Sequence, residues 1–191
     1  WDKIQPEEQK FFGSIQPEIA NETNAKVRKE LIKELETTDS VMYSRWIDYK
    51  HHIDASCHLL SASGRFPRSG EGNLNTYRLF TEMASVLIAG TGRAGMVVQT
   101  GMATDESGKE LFDHLLSSSQ IVQFLDFENR EPYFPDVDSR FRFSLLTLEG
   151  HGGGMRASAA KFGWLLHSLD QVDQSGRTVE LTANDLLLFN P

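Results

Sequence analysis

Along residues 75–150 the apolar positions change period again and again. Tyr77, Phe80, Met83 and Leu87 recur at spacings of three and four, which predicts one helix with those four side chains on one face, Tyr77 as a core residue. Gly90 and Gly92 are expected to end it. Residues 94–98 are apolar or glycine throughout and too few for a helix, so they read as a short buried strand. Thr104 or Asp105 then caps a second helix with Leu111, Phe112, Leu115 and Leu116 on its inner face. Residues 121–127 and 140–148 read as two further strands. Strands alternating with helices predict an α/β domain with a mainly parallel sheet and helices on its faces.

The flanking stretches have other periods. Residues 6–63 are helical in pattern. Pro6, Glu7 and Glu8 suit a first turn, with negative charge at the positive end of the helix dipole. Val27, Leu31, Ile32 and Leu35 share one face of the next helix. Asp39 or Ser40 can cap a third, carrying Met42, Trp46, Tyr49, Ile53 and Cys57. Beyond residue 150, residues 158–166 form a strand, joined to the preceding one by the glycine-rich stretch 149–155 as a flexible hairpin connection. Residues 177–181 read as one more strand, and Thr182-Ala-Asn-Asp185 carries the capping pattern of a final helix. The organisation expected is a helical insertion over 1–74 and an α/β part over 75–191.

Composition narrows the function class. With 39% hydrophobic and 24% charged residues the chain has the balance of an ordinary globular domain, and no apolar run nears the length of a membrane span. A polar, acidic start without a leader pattern and a single cysteine, Cys57, suit a reducing cytoplasm. A net charge of -8 argues against a freestanding nucleic-acid binder, which usually carries a basic balance. It leaves open a catalytic piece of a larger DNA enzyme.

Several residues could carry chemistry. His51, Asp54 and His58 fall on one helix face, but a structural zinc site needs four ligands in a recognisable spacing, so surface or packing histidines are favoured and no metal is expected. Arg65 and Arg68 sit in a Gly/Pro loop. They could grip DNA phosphates, or they could simply be solvated or pair with nearby carboxylates. The loop lacks a Gly-Lys-Ser/Thr after it, so it is not a nucleotide-binding P-loop. Thr104, Asp105 and Lys109 lie where a strand ends and a helix begins, the edge at which open α/β sheets bind ligands. They are DNA-contact candidates, with plain helix capping as the other reading.

Three ordered segments carry a family resemblance. The segment NTYRLF, starting at Asn75, resembles the helix motif whose aromatic edges the cofactor adenine in gamma-class DNA adenine methyltransferases. The segment MVVQTGMATDESGKELF, starting at Met96, resembles the I-V-P-T-G-I-A-T-D-x-x-T-K-x-F-F segment of the same enzymes. The segment LDFENREPYFPDVDSRFRFSLLTL, starting at Leu125, resembles their F-E-N-R, F-P and antiparallel-strand segment. The nearest likeness is to the modification part of type IIG restriction-modification enzymes and related phage-defence methylases. This chain has Gln99 where the family usually has proline, and Gly108 where it often has threonine.

The resemblance implies the second half of a Rossmann-like methyltransferase sheet. The activity implied is transfer of a methyl group from S-adenosylmethionine to N6 of an adenine flipped out of double-stranded DNA. Phe80 would edge the cofactor adenine. Phe134 would stack on the target base, replacing the stacking lost on extrusion; read without the resemblance, it is an ordinary core aromatic at a strand edge. Asn129 and Arg130, beside it, would contact DNA. The start of the chain resembles the segment just after the family's catalytic N-P-P-aromatic loop, so Trp1 would be that aromatic. The Asn-Pro-Pro and the glycine-rich cofactor loop would then belong to a missing N-terminal half. Residues 181–191 resemble the linker toward a target-recognition domain. The expectation is therefore a fragment, inactive alone and inclined to self-associate through its open sheet. The alternative is a non-catalytic DNA-positioning or scaffold module of a phage-defence complex.

Overall fold

A computed structural model describes residues 3–130, 133–151 and 159–189. The chain forms two compact units. One is Ile4–Arg65; the other takes in the chain from Phe66 onward together with Lys3. The helical unit thus closes ahead of the 74/75 boundary expected from the sequence. Among the described residues no helix is long and apolar enough to cross a membrane.

The helical unit contains α1 (Glu8–Phe12), α2 (Pro17–Asn21), α3 (Ala25–Thr38) and α4 (Ser40–Ala62). Its boundaries reflect local chemistry. Pro17 opens α2, where a missing N–H costs nothing. The Asn24 side chain accepts the Lys26 N–H at 2.9 Å, and Asp39 accepts the Met42 N–H at 3.0 Å, so each caps the helix after it. Phe12, Ile19, Ile32, Leu35, Met42 and Trp46 form the core. Phe11 stacks on Tyr49 with ring centroids 4.9 Å apart, and Phe12 meets Phe11 edge-on at the same distance. Such pairs add about 0.5–1.5 kcal/mol each beyond burial. Val27, expected inside, is exposed, so the buried stripe of α3 is narrower than its pattern. Cys57 donates its thiol to the Ile4 carbonyl at 3.3 Å; burial, then the nearby Asp54 charge, push its pKa up.

The second unit holds α5 (Thr76–Leu87), β1 (Arg93–Gln99), α6 (Gly101–Thr104), α7 (Glu106–Ser117), β2 (Ile121–Glu128), β3 (Arg142–Glu149), β4 (Ala160–Leu166), β5 (Thr178–Leu181) and α8 (Ala183–Phe189). The five strands lie in the order β1-β3-β2-β4-β5. Strand β3 is antiparallel to both β1 and β2, β4 is parallel to β2, and β5 is antiparallel to β4. The domain is α/β, as expected, but the sheet is mixed rather than mainly parallel. The crossover through α7 does make β1 and β2 run the same way. The chain then turns back, and β3 fills the gap between them.

A second expectation fails for the same reason. Strands β3 and β4 do not form the hairpin that their glycine-rich connection predicts. Strand β3 already has a partner on each side, so β4 passes to the far side of β2. Most of the connecting stretch, residues 152–158, lies outside the described residues.

Leu111 and Leu115 of α7 pack with Val98, Phe124, Leu146, Leu148 and Phe162 on one side of the sheet. Leu125, Phe127, Phe143 and Leu166 form a separate cluster. Strand β2 supplies both, so it is apolar on both faces and does not alternate, with Gln123 and Asp126 as the polar interruptions. Gly150 is required where it stands: a Cβ there would overlap the Ala89 carbonyl oxygen. The final helix begins with the expected capping pair. Asp185 accepts the Thr182 N–H at 2.8 Å, and the Thr182 hydroxyl accepts the Asp185 N–H at 3.2 Å.

Helix α5 departs most from its pattern. Tyr77 is buried, but Phe80 and Leu87 are exposed, and the buried face is completed by Arg78, Thr81, Glu82 and Ser85. The two charged residues go inside because each finds several partners. Arg78 donates to the Ser107, Glu71 and Asn73 carbonyls. Glu82 accepts the Ser69 hydroxyl at 2.5 Å and the Ser69 and Arg68 N–H groups at 2.8 and 3.2 Å. These bonds fix the 66–73 loop against α5 and offset the cost of burying charge.

Candidate functional site

Strands β1 and β2 run parallel, so Thr100 and the segment beginning at Asn129 leave the sheet at the same edge. One carboxylate organises that edge. Asp126, on β2, is 1% exposed. It accepts the Thr100 hydroxyl at 2.6 Å, the Arg142 guanidinium through Nε at 3.2 Å and through Nη2, and the Leu165 N–H at 3.0 Å. Thr100 also lies 3.0 Å from the Ser144 hydroxyl. A single side chain therefore ties β2 to β3, to β4 and to the end of β1. Leu165 has φ of +54° and sits where the β2–β4 register shifts. That conformation costs a non-glycine residue about 1–2 kcal/mol. It is held because Asp126 takes its N–H while Arg177 donates to its carbonyl at 2.9 Å.

Between the β1–α6 turn and the start of β3 lies an open pocket of about 220 Å³. Thr104 and Asp105, both singled out from the sequence, line it. So do Arg140, Phe141 and Arg142, which sequence reasoning missed. The alternation of arginine with phenylalanine at the head of a strand was the available signal, since alternate residues share a face. Thr104 donates to the Thr100 carbonyl at 3.3 Å, and Asp105 precedes α7 without a side-chain capping bond. Lys109 points its ammonium to Asp113 at 2.8 Å and is not among the lining residues.

The segment after β2 carries the expected base-stacking residue. Phe134 is half-buried and meets Phe143 of β3 edge-on, with ring centroids 5.1 Å apart. Asn129, expected to contact DNA, is 1% exposed, and its carboxamide is engaged by Phe134 and Val137. Arg130 is exposed and paired with Glu128, which also lies 3.2 Å from His167.

A second pocket, of about 240 Å³, opens beside α5 and β1. Thr76, Tyr77, Phe80, Met96, Val97 and Val98 line it. Phe80 is 59% exposed here, an apolar ring presented rather than packed. Burial pushes the Tyr77 hydroxyl pKa up, so this wall stays uncharged. Lys3 forms an isolated antiparallel bridge with Asn75, immediately before α5.

The remaining candidates fall elsewhere. Trp1 lies outside the described residues. Arg68 pairs with Glu82 at 3.7 Å, the carboxylate alternative open at the sequence level. Arg65 belongs to the helical unit, exposed, its N–H donated to the Ser63 hydroxyl at 3.2 Å. His51, Asp54 and His58 are exposed on α4, with Asp54 facing Lys50 at 3.8 Å. No family model matches the chain, and no curated protein matches it.

Proposed function

We propose that this chain forms the target-base half of an S-adenosylmethionine-dependent DNA adenine-N6 methyltransferase of a restriction-modification or phage-defence system. One observation carries the reading. The three segments that resemble the family fall on one continuous sheet and the helices packed on it, with Thr100–Asp105 and the loop from Asn129 emerging at the same edge and β3 antiparallel to both neighbours. The resemblance requires an antiparallel strand after Phe134-Pro135, and β3 occupies that place.

The residues present fit the adenine end of the cofactor. An exposed phenylalanine over an apolar pocket offers a flat, dry face to a purine ring. When bound, S-adenosylmethionine supplies an electrophilic methyl group. Phe80 and its neighbours would hold the adenine end of the cofactor. Phe134 stacks on the extruded adenine and replaces the stacking lost on leaving the duplex, worth about 1–3 kcal/mol. The groups that accept from the adenine amino group, and those that hold the methionine end, belong in this reading to the N-P-P and glycine-rich segment of the same protein.

A non-catalytic scaffold is the second reading, favoured by the pairing of the basic candidates. Arg68, Lys109 and Arg130 each already face a carboxylate. A DNA footprint of free cations is therefore weak in the described residues.

Calorimetry of S-adenosylmethionine against the full-length gene product tests the proposal. Micromolar to millimolar binding is expected, with Phe80→Ala weakening it roughly tenfold, the loss of about 1.4 kcal/mol. Absence of binding in the wild type defeats the methyltransferase reading and leaves the scaffold.

A further inference from the structure

Asn129 has a role that its burial separates from direct DNA contact. Its carboxamide donates from Nδ2 to the Phe134 carbonyl at 2.9 Å and to the Val137 carbonyl at 3.0 Å. Its Oδ1 accepts the Phe134 N–H at 3.2 Å. Its own N–H reaches the Phe141 carbonyl at 3.3 Å, next to the start of β3. Both side-chain donors and an acceptor are thus engaged inside one loop, at 1% exposure. Within that loop, backbone bonds run from the Val137 N–H to Phe134 and from the Phe141 N–H to Asp138. The carboxamide grips both sides of the Phe134 backbone, while the Phe134 ring rests on Phe143.

Resting on the methyltransferase reading, we infer that Asn129 is a positioning residue that fixes the backbone of Phe134 so its ring is ready for the extruded adenine. A ring on a loose loop must be ordered at the moment of stacking, which costs conformational entropy and misaligns the base. A ring on a clamped loop does not. The effect belongs to the turnover step rather than to the encounter with the duplex, because Asn129 itself is buried.

The test uses the full-length gene product and duplex DNA carrying either adenine or 2-aminopurine at the target position. Asn129→Asp keeps the shape but replaces both donors by a carboxylate facing two carbonyl oxygens. Asn129→Ser removes the reach to both without adding charge, and guards against misfolding of the first variant. The expected result is a folded protein whose KM for DNA stays within about threefold while kcat falls roughly 10- to 100-fold, the scale of a small misplacement at a reacting centre. The 2-aminopurine emission is expected to shift toward that of Phe134→Ala, reporting a base flipped but unstacked. Wild-type kcat in either folded variant overturns the positioning role. So does failure of both variants to fold, which would assign Asn129 to stability alone. A wild-type protein that transfers no methyl group ends the methyltransferase reading itself, and the inference with it.

Discussion

The helical unit and the sheet unit bury different kinds of residue. In the first, Phe12, Trp46 and their neighbours interlock as rings and aliphatic chains, with polar side chains at caps such as Asn24 and Asp39. In the second, Asp126, Asn129, Arg78 and Glu82 lie inside, each held by several hydrogen bonds. An apolar interior tolerates rearrangement as long as volume is conserved. A buried carboxylate or carboxamide demands particular partners at particular distances, so it fixes loops that apolar packing would leave loose. Asp126 and Asn129 lie where loops leave the sheet, at the edge proposed to meet ligands.

The contrast can be broken from either side. Phe12→Ala empties a fully buried ring position and is expected to cost about 3–5 kcal/mol, read by denaturant unfolding through the buried Trp46. Phe12→Leu should recover much of that loss, because an aliphatic side chain refills most of the volume and gives up only the ring contacts with Phe11 and Trp46. Asp126→Ala leaves the Thr100 hydroxyl, the Leu165 N–H and the Arg142 guanidinium without their acceptor. We expect a loss of about 3 kcal/mol, at the low end of the range for a buried pair because Arg142 is partly solvated. Here a same-sized Asp126→Leu should not recover it. Recovery by leucine would show that the sheet edge, too, is held by packing alone.

Smaller effects sharpen the picture. Asn24→Ala removes the cap of α3 and should cost about 1 kcal/mol, measured by thermal unfolding. His114 lies beside His151, with ring centroids 6.5 Å apart. Burial first, then the charges of Arg68 and His151, hold its pKa below the ordinary value of 6.5, with Glu82 opposing. The folded state therefore binds fewer protons than the unfolded one. Stability from this group is complete above the ordinary value and declines as the pH falls through it toward the lowered folded value. His114→Gln is expected to flatten the dependence of Tm on pH in that window, leaving Tm at pH of about 8 nearly unchanged.

What could be read from the sequence divides along the same line. Leu111 and Leu115, the run 121–127, the Asp39 cap and the Thr182/Asp185 pair were legible because period and capping are local signals. The polar interior was not. Arg78 and Glu82 read as surface residues until their partners are known, and the role of Asp126 depends on a Leu165 N–H that lies 39 residues away in the chain. The periodicity of α5 puts Leu87 on the same face as Tyr77, but Leu87 is exposed and Arg78 and Glu82 are buried instead. The placing of β3 between β1 and β2 is a non-local pairing that no turn signal specifies, and the glycine-rich stretch after it suggests a hairpin that the sheet order forbids. Of the candidate site, Phe134, Phe80, Thr104 and Asp105 were legible by pattern or resemblance. Arg140, Phe141 and the partners of Asn129 emerged only with the fold.

The most direct measurement is transfer of labelled methyl groups from S-adenosylmethionine to duplex DNA by the full-length gene product, wild type beside Phe134→Ala. The account predicts label on N6 of adenine with the wild type. It predicts a loss of roughly 5- to 150-fold in the variant, the rate equivalent of about 1–3 kcal/mol of base stacking. Unlabelled DNA with the wild type, or equal labelling by Phe134→Ala, would contradict it.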